Sequence, residues 1–277
     1  TLNVFWTFGN LIPYVLGPYL AIVPFNVILA FIPALFFVLF LIIAPESPYY
    51  LVGKNQIDKA EESLMKLRSR SRSGVGKELL SIQDSLKFVE KKGNIFDLFK
   101  TKANLKALII SVTLMAFQQL SGINAVLFYT QLIFEASGSN LPAEISSIII
   151  GLVLLVSSLI IPFFADSLGR KVFLMISMVG TMVALVVLGT YFFYKESLPD
   201  GVKWVPVVSL VLYIVSLDIG LIPFAWTISS ELFSVDVKPI GTSLVSLTCW
   251  VGSFITTKFF NDLNSTLGQA GTFWLFG

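Results

Sequence analysis

Amide and hydroxyl side chains are concentrated at one point of a long apolar stretch of the chain. Gln118, Gln119, Ser121 and Asn124 lie within seven residues of one another. At about 100° per residue, Gln118, Ser121 and, less closely, Asn124 share one face of a helix. Because amides both donate and accept hydrogen bonds, this face suits a neutral ligand that is rich in hydroxyl groups. The same side chains also form hydrogen bonds between membrane helices, and their chemistry alone does not separate the two uses.

Aromatic rings and one carboxylate are further candidates for such a site. Phe128 and Tyr129 follow the amides on the same stretch, and Trp226 lies where a glycine and a proline predict an irregular helix. An aromatic ring stacks on the apolar face of a pyranose, although lone aromatics in membrane helices more often serve packing. Asp218 is a carboxylate deep in an apolar stretch, so it is either a ligand or proton site or the partner of a group on a helix outside this sequence.

A second set of charged residues lies at the ends of apolar stretches. Its members are Glu46, Asp166, Arg170, Lys171, Glu231 and Lys238. Interlocking pairs among them would close an inner gate in one conformation and release it in another. The alternative is ordinary charge at a membrane surface, which needs no particular spacing.

The composition indicates which elements must position these side chains. Of the 277 residues, 55% are apolar and only 13% are charged, roughly half the charged fraction of a soluble domain. A membrane-spanning helix needs about 20 mostly apolar residues. We predict seven spans and the start of an eighth, in residues 1–45 (two spans), 107–134, 145–165, 172–194, 205–230, 239–257 and 271–277. This pattern excludes an ordinary soluble enzyme and a disordered chain.

The basic residues predict the orientation of these spans. Between Lys54 and Lys106 lie 13 of the 19 basic residues and 7 of the 17 acidic ones. Since basic loops favour the cytoplasmic side, we place the loop 52–103 inside. Within it, apolar residues at helical spacing predict short amphipathic helices separated by a linker at 69–76; these residues are Ala60, Leu64, Leu67, Leu79, Leu80 and Ile82. Asn264 begins a glycosylation sequon on a predicted outside loop, which we expect to stay unmodified.

Other residue types exclude several classes of site. The single cysteine, Cys249, cannot form a disulfide framework, and the lack of histidine excludes histidine-based catalysis and histidine–metal sites. The net charge of +2 comes from one basic cluster and does not indicate a nucleic-acid partner. We therefore expect no cofactor, no metal, no nucleic-acid partner and no catalytic residues, and we do not expect an enzyme.

Four motifs resemble those of the sugar porters of the major facilitator superfamily. Pro45-Glu46-Ser47-Pro48 resembles the family's signature after its sixth span, and Gln118 to Asn124 resemble its substrate motif on the seventh. The segment 166–171 resembles the charged loop after the eighth span, and Trp226 with 230–233 resembles the end of the tenth. The motifs occur in the family's order and cover nearly the whole chain.

This resemblance implies an all-α, multi-pass transmembrane protein with the major facilitator fold, truncated at both ends. Residues 1–44 would be the last two helices of the amino-terminal bundle, and 45–103 the cytoplasmic signature loop and intracellular helical domain. Residues 104–277 would be the carboxy-terminal bundle with an incomplete last helix. We therefore expect a piece of a larger protein, from about the fifth to the start of the twelfth span. Residues 45–51 and 270–276 most resemble insect facilitated trehalose or hexose transporters.

The resemblance also assigns roles to the candidate residues. Gln118, Gln119 and Asn124 match sugar-hydroxyl ligands, and Trp226 matches a tryptophan that lines the site. Asp218 falls where many members carry a glutamate or a small polar residue, and the charged set matches the family's inner network. Four positions shorten or lose a polar contact of the family and predict a different or larger sugar, or poor transport; they are Thr7, Leu154, Cys249 and Ser253. Tyr49 also departs from the family, since it replaces the arginine of the signature.

The function that this resemblance implies is transport of a hexose or trehalose-like sugar across the plasma membrane by alternating access. The expected partners are a small sugar and the lipid bilayer, and proton coupling is left open. Two alternatives remain: a sugar sensor that does not transport, and a carrier of a polyol or other organic solute on the same fold.

Overall fold

The computed structural model describes residues 2–88, 95–138, 141–164, 169–234 and 236–277, and within them it contains helices and no strand. The α-helices are α1 (Leu2–Leu16), α2 (Ile22–Ile43), α3 (Pro48–Gly53), α4 (Ile57–Arg68), α5 (Arg72–Phe88), α6 (Asp97–Lys100), α7 (Lys102–Leu120), α8 (Ile123–Ser137), α9 (Ala143–Phe164), α10 (Arg170–Tyr194), α11 (Val205–Ile219), α12 (Leu221–Leu232), α13 (Lys238–Lys258) and α14 (Phe260–Phe276). The all-α fold class predicted from the sequence is confirmed.

Six helical stretches of the described residues are long and apolar enough to cross a membrane. They are Ile22–Ile43, Lys102–Ser137, Ala143–Ile160, Arg170–Ser197, Val205–Leu232 and Lys238–Lys258. Each corresponds to a predicted span. The first predicted span is the helix α1, whose 15 residues are fewer than the about 20 that cross a bilayer upright.

The stretch that carries the amide cluster is two helices rather than one. Helix α7 ends at Leu120 and α8 begins at Ile123, with Gly122 between them in the left-handed conformation at φ 79°. Only glycine adopts this conformation readily, and a Cβ added at Gly122 would overlap the ring of Phe276 in α14. A glycine within a helical stretch predicts that the helix is loosened locally, and the structure has such an interruption at Gly122.

A second break separates α11 from α12 at Gly220. A Cβ at this position would lie 2.6 Å from the carbonyl oxygen of Phe173 in α10, so the glycine permits a close approach of the two backbones. The hydroxyl of Ser177 accepts a hydrogen bond of 3.0 Å from the amide of Leu221, the first residue of α12. One of the amides left unpaired at the start of a helix is thus satisfied by α10.

The described chain divides into two compact units, and the first comprises Thr1–Leu20, Phe96–Ser234 and Lys238–Gly277. In this unit α10 packs against α11 and α14, α9 packs against α1, α8 and α11, and α7 packs against α12 and α13. The apolar core draws its buried side chains from α8 to α12 and from α14. Helix α7, which carries the two glutamines, is therefore packed against both α12 and α13.

The second unit comprises Ala21–Ile95 and Val235–Val237. None of the residues of α2 is buried. Helices α3, α4 and α5 enclose a small core of Leu51, Val52, Ala60, Leu64, Val75, Leu79 and Ile82. The predictions for Ala60, Leu64, Leu79 and Ile82 are thus confirmed, whereas Leu67 and Leu80 are exposed.

Two local predictions are wrong. Helix α5 begins at Arg72 rather than after the predicted linker, because burial of Val75 outweighs the low helix propensity of the neighbouring glycines. The predicted loop around Asn264 is helical instead and belongs to α14. The chain turns four residues later, at Gly268, where φ is 71°. The glycine supplies the turn that the prediction placed at the sequon.

Candidate functional site

The amide of Gln119 is the centre of the polar cluster at the end of α7. Its Nε2 donates a hydrogen bond of 3.1 Å to Sγ of Cys249 in α13, and its Oε1 accepts one of 2.5 Å from Nδ2 of Asn124 in α8. Helix α13 comes close to Gln119 because Gly252 has no side chain. A Cβ built on Gly252 would lie 2.8 Å from the Cβ of Gln119. Gln119 and Asn124 are thus brought together across the helix break.

Gln118 is also buried, with only 4% of its surface exposed. Its Oε1 has no hydrogen-bond partner among the described residues. Most buried polar atoms in folded proteins are paired, so an unpaired acceptor here is a candidate partner for a hydroxyl from outside the chain. The structure therefore gives this amide a free acceptor beside the Gln119–Asn124 pair.

The peptide that joins α7 to α8 is fixed by a buried tyrosine. The hydroxyl of Tyr213 in α11 donates a hydrogen bond of 2.8 Å to the carbonyl oxygen of Ser121. The Ser121 hydroxyl itself bonds to the carbonyl oxygen of Gln118 at 2.7 Å. The hydrogen bonds of Ser121 therefore stabilise the backbone at the break between α7 and α8.

The two aromatic candidates of α8 have different surroundings. Tyr129 is partly buried, stacks on Phe260 with ring centroids 4.8 Å apart, and donates to the carbonyl oxygen of Thr257 at 3.3 Å. Phe128 is 73% exposed and lies one turn beyond Asn124 on the same side of the helix. Phe128 thus shares the open face of α8 with Asn124, whereas Tyr129 packs against the core.

Trp226 lies on α12, which packs directly against α7. Its side chain is 42% exposed, while its neighbour Ala225 is fully buried. The side chain of Trp226 is thus partly exposed on a helix that packs against the amide-bearing helix. An indole in such a place offers both a flat apolar face and an N–H donor.

Asp218 is buried between three helices and hydrogen-bonded to neutral groups. Ser157 of α9 donates to its Oδ2 at 2.5 Å, and Nδ2 of Asn3 in α1 donates to its Oδ1 at 3.1 Å. Only 1% of its surface is exposed. The structure therefore joins Asp218 to α1 and α9, and it shows no bond from Asp218 to the amide cluster.

Helix α1 forms further polar contacts that sequence reasoning missed. The Thr7 and Ser158 hydroxyls are 2.9 Å apart, and the hydroxyl of Tyr14 donates to the carbonyl oxygen of Leu127 at 2.5 Å. The only signal for these contacts in the sequence is the presence of isolated polar residues in apolar stretches, where each is expected to find a partner.

The charged set is brought together only in part. Arg170 at the start of α10 forms an ion pair with Glu231 at the end of α12. Lys171 and Lys238 are exposed, and Glu46, in the second unit, accepts a bond of 2.9 Å from the amide of Ser47. Asp166 lies outside the described residues.

An open groove of about 560 Å³ lies between α9, α10 and α11. It is lined by Leu152, Val153, Val156, Ser157, Ile160, Phe173, Val211, Val215 and Ile219. Its surface is almost entirely apolar, so it is unsuited to a polyhydroxylated ligand.

Among the described residues, no three His, Cys, Asp or Glu side chains are grouped so as to hold a metal ion.

The chain is similar over nearly all its length to insect proteins. It is 36% identical to the facilitated trehalose transporter Tret1 of Apis mellifera ligustica, covering 99% of this chain and 55% of that protein. It is 37% identical to the protein of the same name from Polypedilum vanderplanki, with the same coverage. The chain thus spans about half the length of these curated relatives.

A solved structure supports the same relationship. The major facilitator superfamily proton:xylose symporter XylE, bound to 6-bromo-6-deoxy-D-glucose, matches with a TM-score of 0.68 at 26% identity. The match covers 88% of this chain and 51% of the symporter. The family model described as "Sugar (and other) transporter" matches residues 1–277. The chain therefore belongs to the sugar transporter family and has the fold of the major facilitator superfamily.

Proposed function

We propose that the protein moves a neutral sugar of the trehalose or hexose class across a membrane by alternating access. The observation that carries this proposal is the buried, uncharged amide cluster at a helix break, with a free acceptor on Gln118. Such a cluster exchanges hydrogen bonds with hydroxyl groups and performs no covalent chemistry. The insect relatives, which are named as facilitated trehalose transporters, make trehalose the first substrate to test.

In this proposal the polar residues have separate tasks. Gln118 accepts a hydrogen bond from a sugar hydroxyl, while Gln119 and Asn124 exchange their mutual bond for bonds to the ligand. Phe128 and Trp226 offer ring faces to the apolar side of a pyranose. Tyr129 supports the site through its contacts within the core, and Asp218 is a further proposed member of the site.

We further propose that 1–44 completes an amino-terminal bundle, that 45–103 is a cytoplasmic domain and that 104–277 is most of a carboxy-terminal bundle. The hydrogen bonds of Asn3 and Thr7 to α11 and α9 then become bonds between two bundles. The basic residues between Lys54 and Lys106 support a cytoplasmic position for the insert. The plasma membrane is the proposed location.

The inner gate of this proposal is built on the ion pair of Arg170 with Glu231. About half of each side chain is exposed, so the pair contributes about 1 kcal/mol or less. A weak bond of this kind is suited to a gate, because each transport cycle must break and reform it. Asp166, Lys171, Lys238 and Glu46 are the proposed further members of the network.

The proposal is tested with the full-length protein in proteoliposomes and radiolabelled trehalose. Saturable uptake, inhibited by glucose or trehalose more than by inositol, is the expected result. Replacing Asn124 with alanine is expected to raise KM, since Gln119 loses its partner and the ligand loses a donor. Gln131→Ala is the matched control, because it removes an exposed amide from the same helix.

Three results would contradict the proposal in different ways. Saturable sugar binding without counterflow would make the protein a sensor. Preferential uptake of inositol would make it a polyol carrier. Equal KM values for the Asn124→Ala and Gln131→Ala variants would remove the amide pair from the site.

A further inference from the structure

The segment that joins α4 to α5 alternates arginine and serine. Arg68, Ser69, Arg70, Ser71, Arg72 and Ser73 follow one another, and every one of these side chains is exposed. Transport by the membrane-spanning helices makes no use of this segment. It is therefore a surface feature that calls for a separate explanation.

The backbone of the segment places two serines, Ser69 and Ser71, between the two helices. Ser69 ends α4 in the left-handed conformation at φ 51°, and Ser73 lies in the first turn of α5. Ser71 belongs to neither helix, and its hydroxyl lies 3.2 Å from that of Ser73. Gly74 and Gly76 weaken the first turns of α5, so little free energy is needed to extend the chain here.

The arginines on either side of Ser71 connect the two helices. Arg68 of α4 bonds to Glu78 of α5 at 2.6 Å, and Arg72 of α5 bonds to Glu61 of α4 at 2.7 Å. The Arg68 guanidinium holds the pKa of the Glu78 carboxyl below its usual value, so this pair remains ionised at neutral pH. The stem of Arg70 lies along α5, with its Cδ 3.6 Å from a Cβ built on Gly74.

We propose that Ser71 is a phosphorylation site for an arginine-directed serine kinase that uses ATP. Three arginines surround it in sequence: Arg68 three positions before, Arg70 directly before and Arg72 directly after. Guanidinium groups so placed fit the carboxylates of an acidic substrate groove. The proposal rests on the cytoplasmic position of the insert, where such kinases act, and not on the identity of the transported solute.

The reaction is a phosphoryl transfer. The Ser71 oxygen forms a bond to the γ-phosphorus of ATP, the bond from that phosphorus to the β–γ bridging oxygen breaks, and ADP leaves. The hydroxyl proton passes to a base of the kinase. The product carries a charge of about −2 at neutral pH beside three arginines.

The phosphate would compete with Glu61 and Glu78 for their arginines. A dianion on the linker attracts Arg68 and Arg72 more strongly than a single carboxylate does, so both connections between α4 and α5 weaken. The first turn of α5 contains no acidic residue, so the positive end of the helix dipole attracts a phosphate on Ser71 and helps to hold it beside the arginines. Phosphorylation is thus expected to change how α4 and α5 are held together.

The test uses the full-length protein in nanodiscs, which leave both membrane faces accessible, with the catalytic subunit of cAMP-dependent protein kinase and labelled ATP. We expect one major phosphopeptide, containing phosphorylated Ser71. Ser71→Ala should lower the incorporated label about tenfold, and Arg70→Gln should lower it similarly with the serine intact. Ser81→Ala removes an exposed serine of α5 that lacks this arginine pattern, and it should leave the label unchanged.

Hydrogen exchange provides a second readout that requires no transport. Because the two ion pairs weaken, amides of α4 should exchange faster in the phosphorylated protein and not in the treated Ser71→Ala variant. Absence of label, or label that persists in Ser71→Ala at the wild-type level, would overturn the proposal. If Ser71 is labelled in nanodiscs but is never phosphorylated in protein isolated from intact cells, the proposal is also overturned, because the modification does not occur in the cell. Sugar uptake tests the proposed transport separately.

Discussion

Replacing Gln118 with methionine should separate stability from transport. The substitution keeps the length of the side chain and removes the buried Oε1, which has no partner among the described residues. An unpaired buried acceptor destabilises a protein by about 1–3 kcal/mol. The variant is therefore expected to be more stable than the parent by up to about that amount, although it loses a candidate sugar contact.

The expected cost to transport follows from a single hydrogen bond. A bond between neutral groups contributes about 0.5–1.5 kcal/mol, so KM for the sugar should rise about two- to twelvefold. Stability is measured by thermal unfolding of the full-length protein in detergent, without and with sugar. Uptake is measured in proteoliposomes from the same preparations.

Ser111 offers a matched control on the same helix. It is fully buried, and its hydroxyl also has no partner among the described residues. Ser111→Ala should raise the unfolding temperature and leave KM unchanged. A Gln118→Met variant with a lower unfolding temperature and the parental KM would refute the reasoning, because Oε1 would then have a partner within the protein and no role toward sugar.

Three further substitutions test other parts of the structure. Tyr213→Phe leaves the buried carbonyl of Ser121 unpaired and should destabilise the protein by about 1–3 kcal/mol in thermal unfolding; an unchanged unfolding temperature would show that the bond is not needed. Glu231→Arg should depress uptake, and Arg170→Glu in the same chain should restore part of it; equal uptake by the single variant would remove the pair from the gate. Gly122→Ala places a Cβ on a left-handed residue against an aromatic ring of α14 and should cost about 1–2 kcal/mol or more. Gly9→Ala within α1, with no atom within 4 Å, should instead stabilise the protein by about 0.5–1 kcal/mol.

Local pattern was sufficient for the membrane-spanning helices and for both helix breaks. Charge-free stretches indicate the spans, and a glycine within such a stretch indicates where regular helix is weakest. The motif around Gln118 and Gln119 likewise drew attention to the side chains that meet at the first break. These inferences needed only neighbouring residues, because each rests on an interaction within one stretch of chain.

The partners of the site residues could not be read in the same way. Gln119 is separated from Cys249 by 130 positions, and Asn3 from Asp218 by 215. A helix that is apolar on all sides also carries little information about which face is buried. For this reason sequence reasoning grouped Phe128 with the adjacent tyrosine, although 73% of Phe128 is exposed and the tyrosine packs into the core.

The interruption between α7 and α8 has a mechanical consequence. Two helices that are joined by two residues bend far more easily at their junction than one continuous helix bends along its length. Helix α8 is thus able to tilt while α7 remains packed against α12 and α13. The hydrogen bond of Tyr213 to Ser121 and the ring of Phe276 beside Gly122 both lie at this junction, so a tilt would have to change them. Because Asn124 belongs to α8 and Gln119 to α7, such a tilt would change the distance between their two side-chain amides.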